Sequence, residues 1–480
     1  MSGEKGSKPR QFVIQSIQDH DRLDCHYYDP RYFETIERLE GISRRSGTEL
    51  VPLQQLLANS DRRDISGGAT PLGAVYLPEG VPFIRVQNVA ETGIDLSGVV
   101  YIGKAVHEGL LKRSQLRPGD VLLTITGTYG ISAVVPKHIS IANINQHVAR
   151  IAVDESKASP DYVSLYLNSE FGRNQMDRAA TGGTRLALDY DSIKQILVLR
   201  PDTGAQEKIV GEVERIYQEA GRIREEISRL ESSYDSVVLD KLGVRLPEEP
   251  KLKVFVAAMQ GQDRMDVKWY YPYYDDAMAL IETLRPKALG SYRHGLRYGA
   301  SIDADYISGI PFLRIENLRP NYIDLSDLQH VSRSVYGEEV ANLYLREGDI
   351  LIERSGTYVG LCSYIPEGME NHVYGSYMIR LRLEEGGILP RYLSVYLNSL
   401  LGRMQFDRLK TGSLQFNINL QQIRDVRIIE PDKSTQEDIA SAVFHTMDQV
   451  ATLRVQYQEK LGKARARFLK LLEDTRPDRS

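Results

Sequence analysis

The chain has 480 residues, of which 42% are hydrophobic and 26% are charged, so it is too long for one ordinary hydrophobic core and should form two or more domains. Its net charge of −5 lacks the basic excess that nucleic-acid-binding domains usually carry. Cys25 and Cys362 stand far apart, with no CxxC or HxxxH spacing, which argues against a disulfide framework and a zinc site. No apolar run approaches the roughly 18 residues of a membrane span, and the N-terminus lacks a secretory signal, so we expect a cytoplasmic protein.

The first half predicts short strands, then a helix, then one much longer helix. Strands are predicted at 83–86, 121–125, 132–135 and 196–199, with Gly-Asp and Gly-Thr-Tyr-Gly turns between them. A helix should begin near Pro160, because proline in the first turn loses no needed hydrogen bond, and should end at Gly182. The long helix follows a Pro-Asp turn. This order predicts a mixed α+β module followed by a helix.

The second half repeats the first in the same order. "YLNSEFGRNQMDRAATGG" begins at Tyr166 and "YLNSLLGRMQFDRLKTGS" begins at Tyr396, and eleven of these eighteen positions agree. Further pairs of similar segments begin at Arg22 and Arg264, Val81 and Ile310, Arg117 and Arg346, and Arg200 and Glu430. The spacing between the two copies is larger at the start, so the first half should carry extra residues, which we place in a surface loop around 59–73.

The long helical stretches each carry an apolar seam with alternating spacings of three and four residues, which is typical of a coiled coil. The first seam is Ile209, Val213, Ile216, Ala220, Ile223, Ile227, Leu230, Tyr234 and Val237. The second is Ile439, Val443, Met447, Val450, Leu453, Tyr457, Leu461, Ala464, Phe468 and Leu472. Two arrangements fit: the helices pack lengthwise on each other, or each packs on its own module as an ordinary amphipathic helix. The length of the seams favours the first.

Catalytic motifs are not recognisable. The Gly-Thr-Tyr turns lack the Lys-Ser/Thr of a phosphate-binding loop. Pro201-Asp202 and Pro431-Asp432 are not followed by the Glu-x-Lys of a nuclease metal site, and we interpret them as turns. The chain contains no Pro-Pro, which an adenine methyltransferase loop would need, and its nine histidines are scattered. We therefore expect no reaction centre and no bound metal.

The order of the motifs resembles that of a known family. Each half has "GDVLLTITGTYG" or "GDILIERSGTYVG", then "YLNSxxGRxQxDRxxTG", then a Pro-Asp turn and Gln-Glu-x-Ile at the start of the long helix. This duplicated series resembles the specificity (S) subunit of type I restriction-modification systems, from about Arg22 to Glu473. The resemblance implies a non-catalytic subunit whose two target-recognition domains each read one half of a split DNA sequence.

The resemblance also implies partners. Two methyltransferase subunits, which bind S-adenosylmethionine and methylate adenine, would dock on the helices, and two restriction/motor subunits can join them. No cofactor is expected on this chain itself. The predicted fold class is α+β, with two repeated mixed α/β target-recognition domains separated by two long helices that form an antiparallel coiled coil. The predicted boundaries are 1–202 for the first domain, 203–250 for the first helix and linker, 251–432 for the second domain and 433–480 for the second helix.

Positions that differ between the copies are where DNA specificity should lie. After Thr-Gly the first copy has Arg185 and the second has Gln415; arginine suits guanine and glutamine suits adenine in the major groove. The family more often has glutamine here, and the alternative is that both side chains brace the loop. Other candidates follow a predicted strand or stand in the Gly-Thr-Tyr turns, where glycine lets backbone N–H groups approach a phosphate. The predicted DNA-contacting residues are Arg85, Gln87, Asn88, Thr128, Tyr129, Thr184, Arg185, Arg314, Asn317, Thr357, Tyr358, Ser413, Gln415 and Asn417.

Three functions remain open at this point. A DNA-recognition subunit is favoured by the collinear duplication. A coiled-coil scaffold of the same architecture that does not bind DNA is allowed by the acidic net charge. A stand-alone enzyme is disfavoured because no acid–base or nucleophile constellation recurs in both halves.

Overall fold

The computed structural model describes residues 25–475, except 59–63, 71–75, 183–185, 251–253, 257–263, 265, 293, 303, 305–307, 357, 385–386 and 413–414. The chain forms two compact units, 1–226 with 453–480, and 227–452. Each unit therefore contains one sequence repeat and a part of both long helices. The predicted boundaries after 202, 250 and 432 stay predictions.

Helices occur in the same order in the two repeats. Those of the first repeat are α1 (Pro30–Ser46), α2 (Lys104–Glu108), α3 (Pro160–Asn168), α4 (Glu170–Ala179), α5 (Tyr190–Lys194) and the long α6 (Thr203–Leu242). Those of the second repeat are α7 (Pro272–Thr283), α8 (Arg333–Tyr336), α9 (Pro390–Asn398), α10 (Leu400–Leu409), α11 (Leu420–Arg424) and the long α12 (Lys433–Glu473). Among the described residues, no helix is both apolar enough and long enough to span a bilayer.

The strands are short. In the first repeat they are β1 (Glu49–Pro52), β2 (Ile65–Gly67), β3 (Val81–Ile84), β4 (Val89–Ala90), β5 (Gly93–Ile94), β6 (Val100–Ile102), β7 (Gln115–Leu116), β8 (Val121–Thr124), β9 (Ser132–Val134), β10 (Ala142–Ile144), β11 (Val148–Ile151) and β12 (Leu197–Arg200). In the second repeat they are β13 (Lys287–Ala288), β14 (His294–Tyr298), β15 (Ile310–Leu313), β16 (Leu318–Arg319), β17 (Tyr322–Ile323), β18 (Gln329–Val331), β19 (Ile350–Glu353), β20 (Ser355–Gly356), β21 (Cys362–Tyr364), β22 (Val373–Tyr374), β23 (Met378–Leu383), β24 (Phe416–Asn417) and β25 (Arg427–Ile428).

Both repeats build the same sheets. A four-stranded sheet has the order β2-β11-β8-β9 in the first repeat and β14-β23-β19-β21 in the second. A second sheet, β6-β3-β10-β7, corresponds to β18-β15-β22, and each contains one parallel pair, β3 with β10 and β15 with β22. The ladders β1–β12 and β13–β25 join the start of each repeat to its end. The predicted pair of mixed α/β modules is confirmed.

The single helix predicted from Pro160 to Gly182 is wrong, because α3 and α4 are separate helices on either side of Ser169. The hydroxyl of Ser169 accepts the N–H of Gly172 at 3.4 Å. A Cβ at Gly172 would lie 2.6 Å from the Cα of Leu167, so the start of α4 packs on the end of α3 more closely than a larger residue allows. Pro160 does stand in the first turn of α3, as predicted, and α9 and α10 are separated in the same way.

Buried tyrosines brace each helix pair against the last strand of its repeat. Tyr162 and Tyr166 donate their hydroxyls to carbonyl oxygens of β12 at 2.5 and 2.9 Å. Tyr392 and Tyr396 donate theirs to carbonyl oxygens in and beside β25 at 2.6 and 2.9 Å. Burial raises the pKa of all four tyrosines, which keeps the hydroxyls neutral and able to donate. These shared residues therefore hold the modules together.

Part of the extra length of the first repeat lies in its first helix. Helix α1 has 17 residues and its counterpart α7 has 12, so some of the additional residues extend a helix. Much of the predicted insertion, 59–63 and 71–75, lies outside the described residues.

The helices α6 and α12 pack together and run antiparallel. Ion pairs join them at Glu212–Arg467 and Glu219–Lys460 in the first unit and at Lys241–Asp438 in the second. In these ion pairs, a higher residue number in α6 is matched by a lower residue number in α12. The predicted antiparallel coiled coil is confirmed.

The ends of the helix pair also pack into the modules. The buried seam residues are Ile209, Val213, Ala220, Leu461, Ala464, Phe468 and Leu472 in the first unit and Ile439, Val443 and Val450 in the second. The partly buried ones include Ile216, Ile223, Ile227, Leu230, Leu453 and Tyr457. Tyr217 and Val238 are buried too, although the predicted seam omits them. The long helices therefore pack both on each other and on the modules, so both arrangements that the sequence left open occur together.

The C-terminal part of α12 completes the core of the first module. The ring of Phe468 lies 5.9 Å from that of Tyr162 and 6.1 Å from that of Tyr166, centroid to centroid. Val238, near the end of α6, belongs to the core of the second unit. Each module is therefore covered by the start of its own helix and the end of the other.

Candidate nucleic-acid interface

In the second module, the Gly-Thr-Tyr turn and the segment after Thr-Gly are joined by backbone pairing. Ser355 and Gly356 pair with Asn417 and Phe416 in the β20–β24 ladder. The amide of Gln415 donates to the hydroxyl of Ser355 at 3.0 Å. Two segments that are about sixty residues apart in sequence thus form one edge of the module, which we name the second edge (298, 354–356, 358, 377 and 415–417).

Exposed side chains with aromatic rings surround an arginine at the second edge. The guanidinium of Arg354 lies over the ring of Tyr298, 4.7 Å from its centroid, and the backbone N–H of Arg354 donates to the carbonyl of Tyr377. Tyr358 is 69% exposed and Tyr377 is 54% exposed. Rings and a guanidinium of this kind can stack on bases, and arginine can also bond guanine or a phosphate.

A buried carboxylate holds the turn of the second edge. Glu353 is 3% exposed, and its carboxylate accepts the backbone N–H of Tyr358 at 2.9 Å. Burial raises the pKa of Glu353, and the nearby Glu316 acts in the same direction. The conformation of the turn is therefore set from inside the module, which leaves the Tyr358 ring outside.

The first module has the same frame with different side chains. Thr126 and Thr181 both pair with Ala187, which forms the first edge (67, 125–129, 146–147, 181–182 and 186–187). The hydroxyl of Thr126 bonds the ring of His147, and the amide of Gln146 lies 3.1 Å from the other ring nitrogen. This edge presents His147, with the hydroxyl and amide groups bonded to it, at the position where the second edge presents Tyr377.

Two further positions differ between the edges. Ile125, buried at 7% exposure, takes the place of Arg354, since the backbone of each residue bonds the matching neighbours. Gly67 takes the place of Tyr298 and leaves room for the hydroxyl of Tyr190, which would overlap any Cβ at position 67. A shared backbone frame therefore carries two chemically different surfaces.

The two Gly-Thr-Tyr tyrosines are used differently. Tyr129 is partly buried, and its hydroxyl donates to Asp177 of α4 at 2.9 Å. Burial, with Asp177 as the next cause, raises the pKa of Tyr129. Tyr129 therefore braces its module, whereas the ring of Tyr358 is open to a ligand.

The predicted DNA-contacting residues that follow β3 and β15 lie in a turn of the same conformation in each module. The side chains of Asn88 and Asn317 are 1% exposed; each accepts the N–H of the arginine three residues before it, at 3.0 and 2.8 Å, and donates back to backbone carbonyls. Both asparagines therefore brace the turn. Arg85 reaches the carbonyl of Gly98, and Arg314 forms an ion pair with Asp327 at 2.8 Å.

The other predicted contacts divide by position. Gln87, Thr128 and Gln415 are exposed, and Asn417 is partly buried in the β20–β24 ladder. Thr184, Arg185, Thr357 and Ser413 lie outside the described residues, so the comparison of Arg185 with Gln415 stays a prediction. The structure brings together the Gly-Thr-Tyr turn and the segment after Thr-Gly in each module.

Sequence reasoning missed several residues at the two edges. Arg354, Tyr298 and Tyr377 belong to the second edge, and Gln146 and His147 belong to the first. Tyr298 reaches the second edge through the pairing of β14 with β23, and Arg354 meets Tyr377 beside the ladder of β19 with β23. His147 reaches the first edge beside the ladder of β8 with β11. The only local signal was the departure from the repeat at these positions. In the part of the chain that the structure describes, no cluster of three His, Cys, Asp or Glu residues could hold a metal ion.

Two comparisons with known proteins match this chain to type I specificity subunits over a part of its length. A family model described as the type I restriction modification DNA specificity domain matches residues 305–461, and the first repeat has the same sheets and braces as this segment. The type I restriction enzyme EcoBI specificity subunit of Escherichia coli is 28% identical over 141 residues, which are 29% of this chain and 29% of that protein. Residues 305–461 therefore match a type I specificity domain. The match spans less than a third of the length of the curated relative.

Solved structures of specificity subunits also match. An S subunit of a type I restriction-modification system from M. genitalium covers 91% of this chain and 97% of its own, with 12% identity and a TM-score of 0.41. An HsdS subunit from Thermoanaerobacter tengcongensis covers 89% of this chain and 97% of its own, with 17% identity and a TM-score of 0.32. These TM-scores are below 0.5, so the assignment of the specificity domain to residues 305–461 rests on the sequence match.

The specificity domain includes most of the second edge. Its matched range contains Arg354, Tyr358, Tyr377 and Gln415, whereas Tyr298 comes just before it. The residues of the first edge lie outside the matched range.

Proposed function

We propose that this chain is the sequence-specific DNA-binding subunit of a type I restriction-modification complex and reads a bipartite target, one half-site with each module. The observation that carries the proposal is the pair of edges, in which one backbone frame presents different exposed side chains. The specificity-subunit family is non-catalytic. Methylation therefore belongs to partners, for which we propose two methyltransferase subunits that bind S-adenosylmethionine; two restriction/motor subunits can join them.

The chemistry of the edges supports two different half-sites. Arg354 offers a planar donor fork that suits guanine or a phosphate, and Gln415 offers an amide that suits adenine. Tyr358 and Tyr377 can stack on bases or bond phosphates. The first edge instead offers the hydroxyl of Thr126 and the Gln146–His147 pair. Readers with such different donors and acceptors favour different base pairs.

Selection from a pool of random DNA duplexes tests the proposal. The chain, alone and with its methyltransferase partner, is incubated with the pool, and bound duplexes are sequenced at two salt concentrations. We expect enrichment of two short motifs at fixed separation, and affinity that falls steeply with salt because phosphate contacts release counterions. Recovery of random sequences, or binding that does not respond to salt, would support the non-DNA-binding scaffold instead.

Substitutions at the second edge should alter only one of the two motifs. Arg354→Ala removes the guanidinium, and loss of one good base contact weakens binding by about 5- to 150-fold, the equivalent of about 1–3 kcal/mol. Val335→Ala, at a 62% exposed position of α8, is the matched surface control. If Arg354→Ala leaves both motifs and the affinity unchanged, the second edge is not the reading surface.

A further inference from the structure

A buried acid fixes the end of α12 to the first module. Glu91 lies in the turn between β4 and β5, and its side chain is 6% exposed. Its carboxylate accepts hydrogen bonds from Arg173 of α4 at 3.1 Å, from Arg465 of α12 at 2.7 and 3.0 Å, and from the hydroxyl of Tyr217 of α6 at 3.2 Å. A charge this deep is tolerated only with its partners in place. In the first unit the module therefore supplies the acid and the helix end supplies a cation.

The second unit has the opposite arrangement. Asp235 and Arg465 are each the 33rd residue of their helix. The carboxylate of Asp235 accepts Arg403 at 2.7 Å and the N–H of Leu400, the first residue of α10, also at 2.7 Å. Arg403 corresponds to Arg173 in the repeated Gly-Arg motif. Here the helix end supplies the acid.

The second module has no acidic residue at the position of Glu91. In the aligned segments that begin at Val81 and Ile310, Pro320 stands at the position of Glu91. The second module therefore has the arginine of the first but not its glutamate. The arginine that the two repeats share pairs with a glutamate of its own module in the first unit. In the second unit it pairs with an aspartate of α6.

Exchanged helix ends would meet unfavourable charge. An arginine in place of Asp235 would face Arg403 and the N-terminus of α10, which is also positive. An aspartate in place of Arg465 would face the buried Glu91. Phe468 and Val238, at equivalent positions of the two helices, discriminate by size and not by charge, because an exchange would leave a cavity in one core and overpack the other.

We propose that Arg465 and Asp235 select the module on which each helix end docks, so that the end of α12 fits only the first module and the end of α6 fits only the second. The partner of each surface is thus one specified helix end of this chain. Charge provides a selection that adds to the size difference between Phe468 and Val238, and the apolar seam provides most of the stability. The inference does not depend on DNA binding.

Reversal of charge in the intact chain is the first test. Arg465→Asp should lower Tm by roughly 10 °C, because it replaces a cation that pairs with the buried Glu91 by a second carboxylate, and should speed hydrogen exchange at 461–472. Adding Glu91→Ala should restore most of the loss, since Arg173 can then pair with the new carboxylate. If Arg465→Asp is insoluble, recovery of soluble chain by Glu91→Ala is the same rescue. A double variant no better than Arg465→Asp alone overturns the proposal.

In a chimeric chain, Arg465→Asp should change Tm in the opposite direction. Residues 22–200 are replaced by a second copy of 264–430, so that Arg465 meets a module without Glu91. In this chimera Arg465→Asp should raise Tm or the soluble yield, whereas in the natural chain it lowers them. A merely structural role for Arg465 predicts loss in both backgrounds, and that result would overturn the selection by charge.

Discussion

The hydroxyl of Tyr129 donates a hydrogen bond of 2.9 Å to Asp177, whereas Tyr358, at the same position of the second repeat, is 69% exposed. The tyrosine of the Gly-Thr-Tyr motif therefore stabilises its own module in the first repeat and is exposed to solvent in the second. Substitutions of these two tyrosines can therefore distinguish an effect on the stability of the protein from an effect on DNA binding.

The two tyrosines should respond oppositely to substitution. Tyr129→Phe should reduce stability by about 1 kcal/mol, because it leaves a partly buried carboxylate without a donor, and should leave DNA affinity unchanged. Tyr358→Ala should leave stability unchanged and weaken binding at one half-site, since stacking contributes about 1–3 kcal/mol per base. Denaturant unfolding and DNA titration of both variants check this. Equal effects of the two substitutions on affinity would contradict the assignment of roles.

Phe468 should be a large contributor to the first unit, although it comes from the end of the chain. Phe468→Ala should cost about 3–5 kcal/mol, because the ring is 1% exposed and packs on two buried tyrosines. Val455→Ala, at a 41% exposed position of the same helix, is the control and should change stability by less than about 0.5 kcal/mol. Denaturant unfolding of both variants measures the difference. A loss below about 1 kcal/mol for Phe468→Ala would mean that α12 is not part of this core.

His372 should make the second unit sensitive to mild acid. Burial lowers its pKa, and the nearby His330 lowers it further while Glu370 opposes the change. The unfolded chain therefore takes up a proton on His372 below about pH 6.5, at a pH where the folded chain does not. Stability from this group is complete above about pH 6.5 and is lost as the pH falls below it.

Substitution by glutamine checks the effect of His372. Unfolding free energies of the natural chain and His372→Gln are measured at pH 7.5 and 5.5. The natural chain should lose more stability between these pH values than the variant does. The same loss in both chains would exclude His372 as the cause.

The helix pair should act as a ruler for the spacer between half-sites. One heptad inserted after Leu230 and one after Met447 adds about 10 Å of helix, or about three base pairs, and keeps the seam in phase. The Lys241–Asp438 ion pair places these two positions about level in the second unit. The mapped methylation motif should keep both half-sites, with a spacer longer by about two to four base pairs. An unchanged spacer in an active complex would show that the helices do not set it.

Much of the fold follows from local signals in the sequence. The strands near Phe83 and Val121, the proline at the start of α3 and the alternating seam each depend on neighbouring residues, and each is confirmed. The break at Ser169 was missed because it depends on the close approach of Gly172 to α3, which is a tertiary contact. Tyr217 and Val238 were missed because the helix ends face a module as well as the other helix.

The candidate site was less predictable for a similar reason. The Gly-Thr-Tyr turn and Gln415 are marked by the repeat itself, so comparison of the halves finds them. Arg354, Tyr298 and Tyr377 come together only through strand pairing between distant segments. Sequence patterns also do not distinguish an exposed Tyr358 from a braced Tyr129.

The most direct test of the proposed function is to map methylated adenines in DNA from cells that express the chain with its methyltransferase partner. The same map is made for the chimera in which a second copy of 264–430 replaces 22–200, with Arg465→Asp if that version is the better folded. We predict two different half-sites with a fixed spacer for the natural chain, and two copies of one half-site for the chimera. A motif that is unchanged by the replacement would contradict the claim that each module reads one half of the target.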